Sequence, residues 1–452
     1  MGSHMIDFKI FKDSFGTKEM RKVFNEENFI QKVLNVESAL ARSQAKLNII
    51  PKEVATEITN KAYVDNIDME SLERDIKSSK HPLVPIIKQL ENLCKDDYGQ
   101  YIHLGATTQD IIDTVTILQI KEAHDMILKE LRKVQEVLID ITGTHRKTVM
   151  AGRTHRQQAL PITFGYKTAV WLEEINRHID RLIHIKQDLF VGQLAGAVGT
   201  LASFEKGGLS LQKEFMKELD LNVPKITWHT SRDTLAEFVF ILGMIVGTAG
   251  KIANEVATLQ RTEIGELEEP FSLGKVGSST MPHKRNPSMS ENIISLSRIV
   301  QNNVQLMLNG MINDHERDKV SWLVEWEVIP ESCIMSSGTL TILYNVLDNL
   351  NVNHSIMKEN LEITKGLILS EPIMLALGEK IGKQKSHEIV YEASMTAFEK
   401  DVSLKDVLLK NKKVSNVLSE KELRELLNPA NYIGFSETII NNILNETRKR
   451  DK

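Results

Sequence analysis

In the stretch GKVGSSTMPHKRNPSMSEN, Gly274 to Asn292, two glycines, two prolines, three cations and adjacent serines interrupt a chain that otherwise reads as long helices. Ser278 and Ser279 precede Lys284, Arg285 and Asn286, so a single segment offers a candidate proton acceptor together with anion-binding donors. Those are the groups needed to take a proton from a carbon beside a carboxylate. A lone serine is a poor base at neutral pH, so positive charge or backbone donors must stabilise its ionised form, and Lys284 and the loop amides can supply both. The competing reading of a Gly-, Ser- and Pro-rich segment between helices is a plain connector.

Such a segment needs a frame to hold it. The eleven prolines leave proline-free tracts at 86–160, 162–223, 225–269, 288–329 and 331–371, each long enough for an extended helix. Within 110–143, Ile120, Ala123, Ile127, Leu131, Val134, Leu138 and Ile141 step by three and four and so share one face. Gly243, Gly247 and Gly250 lie among apolar residues in 231–264, which predicts close helix approach in a crowded bundle. Strand signals are scarce at 6% aromatic content, so the expected class is all-α, with a central bundle of about five long helices. The organisation read from the sequence is residues 1–5, MGSHM, as an expression-tag scar, 6–110 as an N-terminal helical domain, 111–368 as the long-helix bundle and 369–452 as a C-terminal helical domain with NPANYIGF as a loop. Long helices with apolar residues on more than one face predict a homo-oligomer.

Composition narrows the function. A net charge of −5 with dispersed Lys and Arg gives no nucleic-acid surface. The apolar runs FVFILGMIVGTAGKIA and LFVGQLAGAVGTLASF are short for a bilayer span and carry glycines, so both read as buried helices, with no membrane partner and a cytoplasmic location expected. Cys94 and Cys333, the two cysteines, read as inert core thiols in a reducing compartment, without a structural zinc.

The run GSSTMPHKRNP resembles the signature loop of the fumarase/aspartase superfamily, which includes adenylosuccinate lyase and 3-carboxy-cis,cis-muconate cycloisomerase. HLGATTQDIIDT from His103 and GRTHRQQALPITFG from Gly152 follow the family's order, and FGTKEMRKVF near the N-terminus extends the likeness over nearly the whole chain. The resemblance implies a three-domain, mainly helical subunit assembled as a homotetramer, each active site being shared by three subunits. It implies Ser278 as the base, His155 as the acid that protonates the leaving group, and Glu291 as the carboxylate that orients and charges His155. It places Thr107, Thr108, Thr154, Gln157, Ser279, Met281, Lys284 and Asn286 among the binders of a small carboxylate substrate, with His81, His103 and Arg317 as further site residues. The residues alone leave other roles open: helix caps for the threonines, a plain loop histidine for His81 and a surface ion pair for Arg317. No metal or organic cofactor is implied, because Lys284, Asn286 and backbone donors suffice for the intermediate's charge.

Within the superfamily, His283 separates this loop from fumarases and aspartases, which favour glycine there. Adenylosuccinate lyases resemble RYS and SSAER at the segments that hold the nucleotide phosphate. This chain instead has SFG at Ser14 to Gly16 and WLVEW at Trp322 to Trp326, a poor donor set for a dianion. Ser231 in WHTSRD stands where many of those enzymes place a glutamine. The expected reaction is elimination of fumarate from a succinylated amine-type substrate through an aci-carboxylate intermediate. Carboxymuconate cycloisomerisation, adenylosuccinate cleavage and a non-enzymatic scaffold remain as alternatives.

Overall fold

The computed structural model describes residues 4–271 and 280–450, and the expectations for Ser278 and Ser279 lie outside the described residues. About 70% of the chain is helical. Five long helices run Thr108–Thr144, Phe164–Leu189, Asp233–Leu259, Ser288–Asn309 and Val320–Asp348. Shorter helices precede them, among them Glu26–Lys46 and Val84–Leu93, and others follow, such as Lys383–Glu399 and Ser436–Arg450.

The periodic face read in 110–143 is the buried one: Ile120, Ala123, Ile127, Leu131, Val134 and Leu138 are fully buried, and Ile141 is half-buried. Each fully buried Ile, Leu or Val among them contributes roughly 1.5–3 kcal/mol by leaving water. Pro330 marks no boundary, because the helix Val320–Asp348 passes through it. A proline there forfeits one backbone hydrogen bond, and the complete burial of neighbouring Val328 and Cys333, with Ile329 1% exposed, offsets the loss.

The all-α expectation needs one correction, since the helices are accompanied by two small antiparallel sheets. Strands β1 (Val149–Thr154) and β2 (Gln157–Thr163) form a hairpin, and β3 (Leu267–Glu268) pairs with β4 (Asn351–Val352). A second correction concerns LFVGQLAGAVGTLASF, where the helix stops at Leu189 and residues 190–201 are irregular. Gly196 and Gly199 have φ of 77° and 84°, left-handed values that glycine alone adopts without strain. The buried backbone of that segment is satisfied by side chains: Asp110 accepts from the N–H groups of Ala195 and Gly196, both at 2.9 Å, and Thr114 Oγ1 accepts from that of Gln193 at 2.9 Å. The other apolar run is helical, and the most apolar window of Asp233–Leu259 is 72% buried within the protein, as a core helix should be.

The described residues pack as two compact units. The first holds the chain up to Leu131 with His178–Ala249 and Ser295–Thr341; the second holds Arg132–Arg177, the described part of Gly250–Ile294, and the chain from Ile342 onward. In the first unit the glycine reading holds at two positions: a Cβ on Gly243 would lie 2.5 Å from Val304 Cγ2, and one on Gly247 2.8 Å from Gln301 Nε2. Also in the first unit, the Arg232 guanidinium meets Asp113 at 2.9 and 3.0 Å and Glu325 at 2.7 and 2.5 Å, all three groups being buried. The second unit includes a C-terminal core of Ile373, Leu377, Leu404, Leu408, Val414 and Leu423. Both cysteines are buried and free; burial pushes the Cys94 thiol up to about 11 and raises that of Cys333 as well, which leaves both unreactive.

Candidate active site

In the second unit, β1 and β2 are joined by two residues, His155 and Arg156, and Thr154 pairs with Gln157 to close the turn. Both turn residues have left-handed φ, 49° and 68°, as a type I′ hairpin turn requires. Asn-Gly is the low-strain choice for such a turn, so His-Arg carries about 1 kcal/mol of strain per residue. Thr154, His155, Arg156 and Gln157 are all exposed at the tip. The hairpin itself is anchored by Arg153, whose guanidinium makes a bidentate pair with buried Glu266 at 2.9 and 2.6 Å. Asn360 Nδ2 donates to the same carboxylate at 2.8 Å. The motif reading singled out His155 and gave no role to Arg153 and Glu266, which are 113 residues apart in the chain.

Met281 and Lys284 are exposed, Asn286 is half-buried, and Glu291 lies exposed in the first turn of the helix Ser288–Asn309. That helix start is secured by Glu269, which accepts from the N–H of Ser290 at 2.6 Å and of Met289 at 3.2 Å. A carboxylate on orphan N–H groups at a helix N-terminus is favoured by both hydrogen bonding and the helix dipole. Beside it, Glu268 pairs with Arg285 at 2.7 Å, and the Arg285 guanidinium lies 4.6 Å from the centre of the Phe271 ring. Residues 268–271 and 285–290 are thereby tied to each other on the two sides of the signature loop. The sequence reading assigned Glu268 and Glu269 no role.

The first unit gathers a second set. His103, with φ 61°, bonds through Nδ1 to Glu37 Oε1 at 2.8 Å, and its own N–H donates to Glu37 Oε2 at 3.1 Å. Burial disfavours the imidazolium, but the hydrogen bond and charge of Glu37 outweigh it, so the His103 pKa is raised above its ordinary 6.5. His81 moves the other way: burial, then the nearby charges of Lys319 and His103, lower its pKa. Its Nδ1 accepts from the N–H groups of Leu83 at 3.3 Å and Val84 at 3.1 Å, which leaves Nε2 as the protonated donor of a neutral ring. His81 thus caps a helix start and also presents an N–H.

Arg317 donates to the Thr107 hydroxyl, and no ion pair of Arg317 is found among the described residues. The Thr107 N–H donates to Asp110 Oδ2 at 3.0 Å, and Thr108 opens the helix Thr108–Thr144. Asp110 is fully buried and also bonds His229 Nε2 at 2.9 Å, which ties the threonine pair to the WHTSRD segment. His81, His103, Thr107 and Arg317 therefore belong to one neighbourhood of the first unit, while Thr154, His155 and Gln157, and Met281, Lys284, Asn286 and Glu291, occupy two short segments of the second.

Replacing Glu37 by Gln is expected to bring the His103 pKa down, since the desolvation remains and the largest opposing influence is gone, leaving only the charges of Asp110 and Glu91 to raise it. In the wild type a raised folded-state pKa means that the His103–Glu37 contribution is fully present below the unfolded pKa and is lost as pH rises through the folded value. Histidine NMR titration with pH-dependent melting reads both effects. An unchanged His103 titration in the variant would remove Glu37 as their cause.

A largely helical chain carrying an exposed imidazole on a strained turn, flanked by the Thr154 hydroxyl and the Gln157 amide, with Lys284 and Asn286 in the same unit, has the makings of an acid–base lyase. Comparison with known proteins gives the family. Residues 14–302 match the family described as "Lyase", and residues 366–443 match "Adenylosuccinate lyase C-terminus". The chain belongs to the fumarase/aspartase superfamily and is a lyase. It is 43% identical over 444 residues to N-acetyl-S-(2-succino)cysteine lyase from Enterococcus italicus, covering 98% of this chain and 97% of the relative. It is 41% identical to adenylosuccinate lyase from Methanocaldococcus jannaschii, covering 100% of this chain and 97% of that one. The crystal structure of 3-carboxy-cis,cis-muconate lactonizing enzyme from Pseudomonas putida superposes with a TM-score of 0.94 at 32% identity, covering 98% of this chain and 100% of that chain.

Proposed function

We propose that the chain releases fumarate from a small S- or N-succinylated compound that carries no nucleotide. Ser278 takes a proton from the carbon beside one carboxylate of the succinyl group, giving an aci-carboxylate whose charge Lys284, Asn286 and backbone donors hold. The C–S or C–N bond then breaks, its electron pair leaves with the heteroatom, and His155, oriented by Glu291, protonates it. The products are fumarate and a free thiol or amine. Thr107, Thr108, Thr154, Gln157, Ser279 and Met281 line the carboxylate sites, with His81, His103 and Arg317 completing them.

One observation carries the choice of substrate: in the two segments where a nucleotide phosphate would be held, Gly16 of the first and Trp322 and Glu325 of the second are taken up by packing and ion pairing. A Cβ on Gly16 would lie 2.3 Å from Ile334 Cγ2, and one on Gly338 2.8 Å from the Phe15 carbonyl, so the SFG segment is pressed onto the helix Val320–Asp348. In WLVEW, Trp322 is buried and stacked on Trp326 at 5.9 Å, and Glu325 belongs to the Arg232 pair. The relative named for a succinylated cysteine supports the thioether form of the substrate. A cycloisomerase reading is kept by the likeness to the lactonizing enzyme.

Exposed apolar side chains on two of the long helices, Val170 at 47%, Ile183 at 43% and Phe240 at 47%, support a homotetramer in which sites are shared between subunits. The test is a panel: fumarate release from N-acetyl-S-(2-succino)cysteine, adenylosuccinate and argininosuccinate, and consumption of 3-carboxymuconate, with the molar mass of the active species measured by light scattering. The thioether is expected to be turned over with the higher kcat/KM. Ordinary efficiency on adenylosuccinate would defeat the phosphate argument.

A further inference from the structure

Arg156 is not accounted for by the reaction above. The turn it shares with His155 would be relaxed by glycine, and the strain at His155 is explained by the proton it delivers, whereas nothing in that role calls for an arginine next to it. Arg156 lines a cleft of about 690 Å³ in the second unit, together with Arg153, Lys167, Lys251 and Arg261. The cations there divide into two groups. Arg153 is held by Glu266, Lys167 by Glu255 at 2.6 Å, and Lys251 by Glu174. Arg156 and Arg261 are exposed, and neither guanidinium has an ion-pair partner among the described residues. Two unneutralised guanidiniums on the wall of one concavity form a receptor for an anion, and a planar fork of donors suits carboxylate or phosphate oxygens.

We infer that this cleft is the leaving-group pocket, where Arg156 and Arg261 hold an anionic group on the half of the substrate that departs. The inference rests on the role proposed for His155. If that imidazole protonates the departing heteroatom, the leaving group lies within reach of the adjacent residue, one Cα–Cα step of about 3.8 Å away, and Arg156 lines the cleft whereas Thr154 and Gln157, assigned to the succinyl carboxylates, do not. The chemistry it recognises is a carboxylate or a phosphate several bonds from the heteroatom.

Two substrate pairs separate these sources: N-acetyl-S-(2-succino)cysteine against its counterpart without the cysteine carboxylate, N-acetyl-S-(2-succino)cysteamine, and adenylosuccinate against succinyladenosine. The wild type is expected to prefer N-acetyl-S-(2-succino)cysteine over the cysteamine, which identifies a carboxylate; a preference confined to the adenylosuccinate pair identifies a phosphate and overturns the no-nucleotide part of the proposed function. R156Q is expected to reduce that preference, as a ratio of kcat/KM values, on the order of 10- to 30-fold, mainly through KM on the anionic member. R156K should recover part of it, and R261Q should move it in the same direction by less. Thermal unfolding of each variant checks that the hairpin is intact. A preference ratio in R156Q equal to that of the wild type, or equal affinity of the wild type for both members of each pair, overturns the inference and leaves the elimination reading standing. No fumarate from any of the four compounds with the wild type overturns the elimination reading, and the inference with it.

Discussion

Replacing His155 by Asn is expected to lower kcat by about two to four orders of magnitude, the usual contribution of a positioned acid or base. Asparagine is the informative replacement because it tolerates the left-handed φ of 49° at this turn position, so the hairpin keeps its shape while the transferable proton is lost. The loss should fall on kcat and kcat/KM together, since protonation of the leaving atom belongs to the transition state. It should also shrink as the leaving group becomes a better one, because an arenethiolate departs without help from an acid. If Ser278 is the base as proposed, Ser278→Ala should cost at least as much and should not respond to the leaving group. Stopped assays on a series of S-succinyl thiols of graded acidity would read the difference. A His155→Asn deficit that is constant across the series would reassign the imidazole to substrate binding.

Much of the frame for this chemistry was legible in the sequence, for a physical reason. The apolar steps from Ile120 to Leu138 are set by the helix's own period, so a local pattern predicts a buried face wherever the rest of the chain lies. The glycines at 243 and 247 likewise announced close neighbours before the partners Val304 and Gln301 were known. What escaped is set by distant groups. Residues 190–201 have helix-like composition, but their backbone is captured by Asp110 and Thr114, some 80 positions earlier, and that competition has no local signature. The β1–β2 hairpin was hidden for a related reason: its turn is His-Arg, so the usual Asn-Gly signal is missing although both residues adopt the left-handed φ that signal announces. The motifs singled out His103, His155 and Glu291, whereas the carboxylates that hold their segments, Glu37 on His103, Glu266 on the hairpin and Glu269 at the start of the helix Ser288–Asn309, sit in stretches whose composition is ordinary.

The same contrast makes Arg232 the place where a single substitution should damage the fold most. Its guanidinium is buried between Asp113 and Glu325, with the Trp228 ring centre 5.0 Å away, and it binds the start of one long helix to residues of two others within the first unit. Two carboxylates share one cation. Burial raises the Asp113 pKa against the opposing effect of Arg232, and the Arg232 pKa is itself raised because the two carboxylates outweigh its desolvation. Arg232→Met keeps the volume and removes the cation, so two buried carboxylates are left without a partner. The expected loss is about 3–5 kcal/mol, the range for breaking a buried ion pair from one side. The pH dependence then tells this cause from simple repacking. Without the guanidinium, the buried Asp113 carboxylate loses the partner that opposes its desolvation, so its folded-state pKa lies further above its unfolded one, and the native state, favoured while Asp113 stays protonated, loses stability as pH rises through that value. The variant should therefore lie closest to wild type in mild acid and fall progressively behind toward neutral and alkaline pH. Asp113→Asn should cost less, because Arg232 keeps Glu325 and only one carboxylate is given up. Urea melts of the three proteins across that pH range decide the matter: a deficit in Arg232→Met that does not grow with pH would show that the residue acts through packing against Trp228 and not through its charge.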